Sequence, residues 1–302
     1  MLEASMASAF DPMPADVQRQ FAARYLAYLR DRDGIPDLTT RRCGVREAFF
    51  ASIDAAPCRW EGAPPVDQAV FDRNHRAASP EPELDRAALW ALATAKTNRA
   101  ERFGVELSLD HPRRTVVADN PHAYIQIEEV YHTRILRDAL ATLGLQTEVS
   151  DPNPQTRLLV RAMVYLPETF ANVAVLAGEI VGVTLFSLLL AEARRLFASQ
   201  PAVLERIELL FGQILVDEVG HVHYLRSRMS PWQLAAARLL LPVVVASVLG
   251  DIPELVRLFG HDAILARALA ADVDADAAGY ADRLVVGAAA STTGPESMRS
   301  AS

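Results

Sequence analysis

A chain of 302 residues, 51% of them hydrophobic, is long enough to bury a large core without help from disulfides. Its formal charge of −8, with basic residues scattered rather than clustered, speaks against nucleic acid or an anionic membrane surface as a partner. Cys43 and Cys58 make no CxxC pair, and no charged segment followed by an apolar stretch opens the chain, so a reduced, cytoplasmic protein is expected.

Strand signals are nearly absent. Apolar residues recur at spacings of three and four over long windows, and the chain reads as all-α. A first helix starts after Pro14 and carries Val17, Phe21, Tyr25, Leu26 and Leu29 to a stop near Asp33 and Gly34. A shorter one covers Val45 to Ile53, and residues 56–82, rich in proline and charge, read as a long surface connection. Four long helical segments follow. The first runs from Glu83 to Ser108, before His111 and Pro112, and the second from the boundary of Asn120 and Pro121 to Leu143. The third starts near Pro154, with a kink expected at Pro167, and reaches Phe197; the fourth runs from Pro201 to Arg228, before Pro231. The expected organisation is an N-terminal helical extension and loop over 1–82, a four-helix bundle over 83–230, C-terminal helices over 231–290 and a disordered polar tail over 291–302.

The stretch from Val173 to Ala191 is apolar almost throughout, yet Glu179 stands near its middle. Its length matches a membrane span. The second apolar run, 234–250, is however interrupted by Arg238 and Pro242 and its unbroken part is too short to span, while aromatic belts and flanking basic clusters are missing. A soluble core helix, covered on all sides and without membrane contact, is the better expectation. An ionised carboxylate in such surroundings is costly unless cations or hydrogen bonds compensate it.

The compensation stands in the neighbouring segments. The second long helix contains IEEVYH, with Glu129 and His132 at i and i+3, and the fourth contains VDEVGH, with Glu218 and His221 at the same spacing. Residues three apart share one helix face at about 5–6 Å. One such motif is weak; two, each on its own long helix with a lone buried Glu on a third, are specific. The first long helix then supplies Glu101, which precedes Glu129 by 28 residues, so that a reversal near residue 115 puts both at one depth. Glu106 lies nearer the helix end, and Glu168, beside Pro167, reads as a capping or solvated residue. The set Glu101, Glu129, His132, Glu179, Glu218 and His221 is the ligand plan of dinuclear sites in bundle cores: one Glu from each of two helices and Glu-x-x-His from each of the other two. Four carboxylates balance two divalent cations, and two imidazoles complete a site suited to two iron ions, with manganese as the alternative.

This set resembles the ferritin-like di-iron carboxylate superfamily, over the span of the four long helices. The resemblance implies a ferritin-like four-helix bundle with additional N- and C-terminal helices. It further implies an O2-activating oxygenase or oxidase of a small organic substrate, with O2 as co-substrate. Electrons would come from a reductase or small reductant, since no flavin or nicotinamide motif is present. In many oxygenases of the superfamily an acidic residue directly before the Glu of each motif bonds the metal-bound His of the opposite motif; Glu128 and Asp217 stand at those positions. The segment IQIEEVYH and the Glu179 helix resemble the arylamine N-oxygenases, which implies N-oxygenation in a biosynthetic pathway and is compatible with a homodimer. Those enzymes carry a further His one turn before the Glu of the last motif, where this chain has Ile214.

Two rival classes use the same residues. A ferroxidase or iron-storage protein would need the ligands but not the 80 or so residues before the bundle and the 70 or so after it. A metal-free helical scaffold would need basic partners for the carboxylates, and no basic residue lies between Pro167 and Arg194. Tyr131 and Tyr224, close to the motifs, are expected to pack with their hydroxyls bonded; His223 is expected at the surface or in a layer behind His221. Gly178 and Gly182, flanking Glu179, either leave room beside the metals or let two helices approach.

Overall fold

The computed structural model describes residues 8–110, 120–148 and 151–273. The described residues are all-α apart from one pair of two-residue strands. Helix α1, Ala15–Asp33, buries Phe21, Tyr25, Leu29 and Asp33, one residue per four along a single stripe. It ends at Gly34, whose φ of 79° lies in the left-handed region open to glycine. Strands β1, Pro36–Asp37, and β2, Arg42–Cys43, pair antiparallel and turn the chain into α2, Gly44–Ala55, which buries Arg46, Phe50 and Ile53.

The segment expected to be a plain surface connection contains a helix, α3, Gln68–Arg76. The Asp67 side chain accepts from the backbone N–H groups of Ala69 and Val70 and so caps it, while Phe71, Asn74 and His75 are buried. The high charge of this stretch hid one anchoring aromatic. Helix α4, Arg86–Asp110, and helix α5, Pro121–Thr142, follow; Asn120 caps α5 by accepting from the N–H of His122, and Pro121 occupies its first turn.

At Pro167 the expected kink is a full break. Helix α6, Pro154–Tyr165, stops, and α7, Glu168–Leu196, begins with Pro167 at ψ 142°, an extended conformation. Proline removes an N–H and crowds the residue before it out of helical space. Helix α8, Pro201–Arg228, is followed by α9, Pro231–Asp251, which opens on a capping box between Ser230 and Gln233. Helices α10, Pro253–Phe259, and α11, His261–Ala270, complete the described chain. The expected reversal near residue 115 and the expected tail over 291–302 lie outside the described residues.

Helix α4 packs on α5, α5 on α8, α8 on α7 and α7 on α4, so these four close a ring. Helix α1 lies against α5 and α8, α6 bridges α4 and α7, and α9 covers α7. Where the ring closes, the buried Trp90 of α4 donates its Nε1–H to the carbonyl of Leu189 on α7 at 2.7 Å and stacks edge-on against Phe197. Outside the ring, Lys96 of α4 meets Glu254 of α10 at 2.5 Å, both fully buried.

Helices α7 and α9 are both long and apolar enough to cross a membrane by length and composition. This corrects the expectation for 234–250: the helix runs on through Arg238 and Pro242. Of the apolar window of α7, 72% is buried within the protein, against 44% for that of α9, which leaves Trp232, Leu239 and Val243 exposed.

Candidate metal centre

Four helices deliver the expected residues to one place inside the ring. In α8 every residue from Ile214 to Ser227 is buried, including Asp217, Glu218, His221 and His223. In α5 Glu128 and His132 are buried among Ile127, Tyr131 and Ile135, while Glu129 keeps 22% of its side chain exposed. Glu179 of α7 keeps 14%, and Glu101 of α4 is half-buried.

One ligand atom each from Glu101, Glu129 and His132 lies within 4.8 Å of the others, and the same holds for Glu129, Glu179, Glu218 and His221. Glu129 belongs to both groups. His132 Nδ1 faces Glu218 Oε1 at 3.4 Å and Glu129 Oε2 at 3.5 Å; His221 Nδ1 faces Glu129 Oε1 at 3.2 Å and Glu179 Oε2 at 3.3 Å. The imidazole centroids are 6.0 Å apart. A Cβ added at Gly182 would stand 3.0 Å from Glu218 Oε2, so the glycine leaves room for that carboxylate.

The outer nitrogens are held crosswise. His132 Nε2 lies 3.1 Å from Asp217 Oδ2, and His221 Nε2 lies 3.0 Å from Glu128 Oε2. A carboxylate at Nε2 requires the proton there, which leaves the Nδ1 lone pair of a neutral ring pointing at further carboxylates. Lone pair against carboxylate is repulsive, so something positive must sit between them, either protons or a cation. His132 Nδ1 is buried and has no hydrogen-bond partner.

The surrounding charges favour protons at these positions when no cation is bound. Burial alone would lower both imidazoles, but the charge of Glu129 and the bond to Asp217 push His132 up to about 10, and Glu128, Glu129 and Glu179 hold His221 well above its usual range. Burial, reinforced by neighbouring carboxylates, holds Glu101 and Glu218 well above the carboxylate range. Burial would raise Glu129 too, yet the two imidazoles pull it well below.

Three further residues reach this cluster without having been expected. Arg46 donates from Nη2 to Asp217 Oδ1 at 2.5 Å and from Nε to Asp33 Oδ1 at 2.8 Å, and Arg32 also donates to Asp217 Oδ1. Both guanidinium groups stand 3.6 Å from Glu128 Oε1. Burial pushes Asp33 up to about 8, with Arg32 opposing and Glu128 and Asp217 assisting. A signal existed: Asp33 continues the buried stripe Phe21, Tyr25, Leu29, and Arg46 shares its face with Phe50 and Ile53. A charge on an apolar stripe is the anomaly that singled out Glu179.

The other tempting residues stand apart. Glu106 is 56% exposed and pairs with Arg102, one turn away; Glu168 is exposed and pairs with Arg228. Tyr131 stacks on Phe50, donates to Glu47 Oε1 and accepts from the N–H of Cys43. Tyr224 packs on Tyr25, and its hydroxyl accepts from Arg228. His223 is buried, with its ring 6.4 Å from that of Phe21, so of the two positions expected for it the surface is ruled out and a layer behind His221 is left. Comparison of the chain with protein-family models, with curated proteins and with solved structures finds no match.

Proposed function

We propose that α4, α5, α7 and α8 form a ferritin-like four-helix bundle that holds two metal ions, iron or else manganese, and that the protein is an O2-dependent oxidase or oxygenase of a small organic substrate. The observation that carries the reading is the pair of buried imidazoles, each with its outer nitrogen fixed by a carboxylate and its Nδ1 turned toward acidic oxygens. Glu101, Glu129 and His132 would hold one ion; Glu129, Glu179, Glu218 and His221 would hold the other, with Glu129 common to both. Bound there, the metal pair would supply the redox capacity that activates O2.

The protein's own residues divide the remaining work. Asp217 and Glu128 fix the tautomer and orientation of the imidazoles. The histidine side is sealed by buried side chains, whereas Glu129 and Glu179 keep some exposure, so a small molecule approaches from the carboxylate side. The apolar residues of α7 on either side of Glu179 limit how much water reaches it. Arylamine N-oxygenation is one reaction of this class, and Ile214, fully buried in place of a further His, favours a plain six-residue ligand set. Reducing equivalents come from an external donor, and the two unpaired cysteines suit a reducing cytoplasm.

The test is stoichiometric. Anaerobic titration of the purified chain with Fe(II), followed by equilibrium dialysis and metal analysis, is expected to saturate at two ions per chain. Saturation at one ion, or none, overturns the reading.

A further inference from the structure

We infer that Arg32 and Arg46, from the N-terminal extension, are positioning residues of the metal centre, and that they act chiefly on the subsite of Glu101, Glu129 and His132. The inference rests on the dinuclear reading above and adds what the extension does for it.

Asp217 and Glu128 are among the most deeply buried carboxylates of the described chain. A buried carboxylate keeps its charge and its rotamer only where donors hold it. Among the described residues, the cations within 4 Å of either, apart from the imidazoles, are Arg32 and Arg46, and neither belongs to the four helices of the ring. Arg46 is itself aimed: Asp33 accepts from its Nε, and Gln213 Oε1 accepts from its Nη1 at 3.2 Å.

The two carboxylates are held unequally. Asp217 Oδ1 accepts hydrogen bonds from both guanidinium groups while Oδ2 meets His132. Glu128 Oε1 lies 3.6 Å from each guanidinium and takes no hydrogen bond from either, so His221 depends on a carboxylate that the arginines only face. Losing an arginine therefore frees Asp217, and with it the His132 ring, far more than it frees Glu128. Outer partners of metal-bound histidines typically govern affinity about 10–100-fold, and here that leverage falls on one subsite of two.

The experiment is anaerobic Co(II) titration of the full chain by calorimetry and visible absorption, for wild type, Arg46→Gln, Arg46→Lys and Arg32→Gln, with apo unfolding midpoints in parallel. Arg32 keeps 17% of its side chain exposed, so water can replace it and Arg32→Gln is the variant expected to fold if Arg46→Gln does not. The expected result is two ions in wild type and one weakened step in each Gln variant, by about 10–100-fold, with partial recovery in Arg46→Lys. In a His132→Ala background the Arg46→Gln loss should vanish. Two unchanged steps, equal loss at both, or a lowered unfolding midpoint with unchanged affinity overturns the inference. Failure of wild type to bind two ions overturns the dinuclear reading instead, so the two are separable.

Discussion

Replacing Glu179 by Ala separates a carboxylate held for metal from one held by the protein. In the metal-free protein the partner of Glu179 is His221 Nδ1 at 3.3 Å, and His221 keeps Glu128 at 3.0 Å and Glu129 at 3.2 Å when Glu179 is gone. No donor is stranded. At an effective dielectric of about 20, unit charges 3.3 Å apart attract by about 5 kcal/mol, and like charges at the 4.8 Å limit of the Glu179 and Glu129 group repel by about 3.5 kcal/mol. Glu218, which burial and its acidic neighbours hold protonated, adds little. The residual attraction, about 1–2 kcal/mol on these figures, is opposed by the desolvation of a carboxylate among apolar residues. The metal-free unfolding midpoint should therefore move by less than about 1 kcal/mol, while bound Fe(II) falls from two ions toward one and O2-dependent turnover is lost. Urea unfolding of the apo proteins and metal analysis after anaerobic loading give both numbers, with Glu106→Ala as a control that keeps both ions. Full iron binding by Glu179→Ala would refute the ligand assignment. A loss of apo stability of about 2–3 kcal/mol would show instead that the protein's own hydrogen bonds hold the side chain.

Metal loading at pH 7 should release protons, because Glu101, Glu218, His132 and His221 are all shifted toward holding them; affinity should rise with pH toward the His132 value of about 10, and calorimetry in buffers of different ionisation enthalpy that found no proton release would contradict this. His75, lowered to about 4 by burial and by Arg99 and Lys96, binds fewer protons folded than unfolded, so its contribution is whole above about pH 6.5 and is lost as pH falls toward 4. Discounted for partial solvent screening, that is about 1–2 kcal/mol, and a His75→Phe variant should show a flatter acid limb in urea midpoints between pH 7 and pH 4.5. Lys96→Met should cost about 3–5 kcal/mol by leaving the buried Glu254 without its ion-pair partner, and adding Glu254→Leu should recover most of it; a double variant no better than the single would mean that the pair is not the reason.

Helix ends were legible wherever a chemical stop marks them. Pro14, Gly34, Asn120, Pro201 and Pro231 set boundaries that the structure shows within a residue or so, because proline, glycine and capping side chains act through the local backbone. Helix α3 was missed because its amphipathic face is short and its composition polar, and burial of Phe71 is a tertiary fact. The candidate site divides in the same way. Glu129 with His132, and Glu218 with His221, were readable because three-residue spacing fixes a face within one helix, and Glu179 because a charge interrupts an apolar run. Arg32, Asp33 and Arg46 have no spacing relation to α5 or α8; only the packing of α1 and α2 on the ring brings them there.

That packing changes how the extension should be regarded. Acids buried beside the imidazoles bring negative charge beyond that of the proposed ligand carboxylates, and two divalent cations would balance only the latter. The guanidinium groups of Arg32 and Arg46 supply the missing positive charge against Asp217 and Glu128, and Asp33 in turn anchors Arg46. A ring of four helices alone would leave Asp217 with His132 and no guanidinium partner. The elements that cover Asp217 also bring its guanidinium partners, so the burial of that charge and its compensation arrive together.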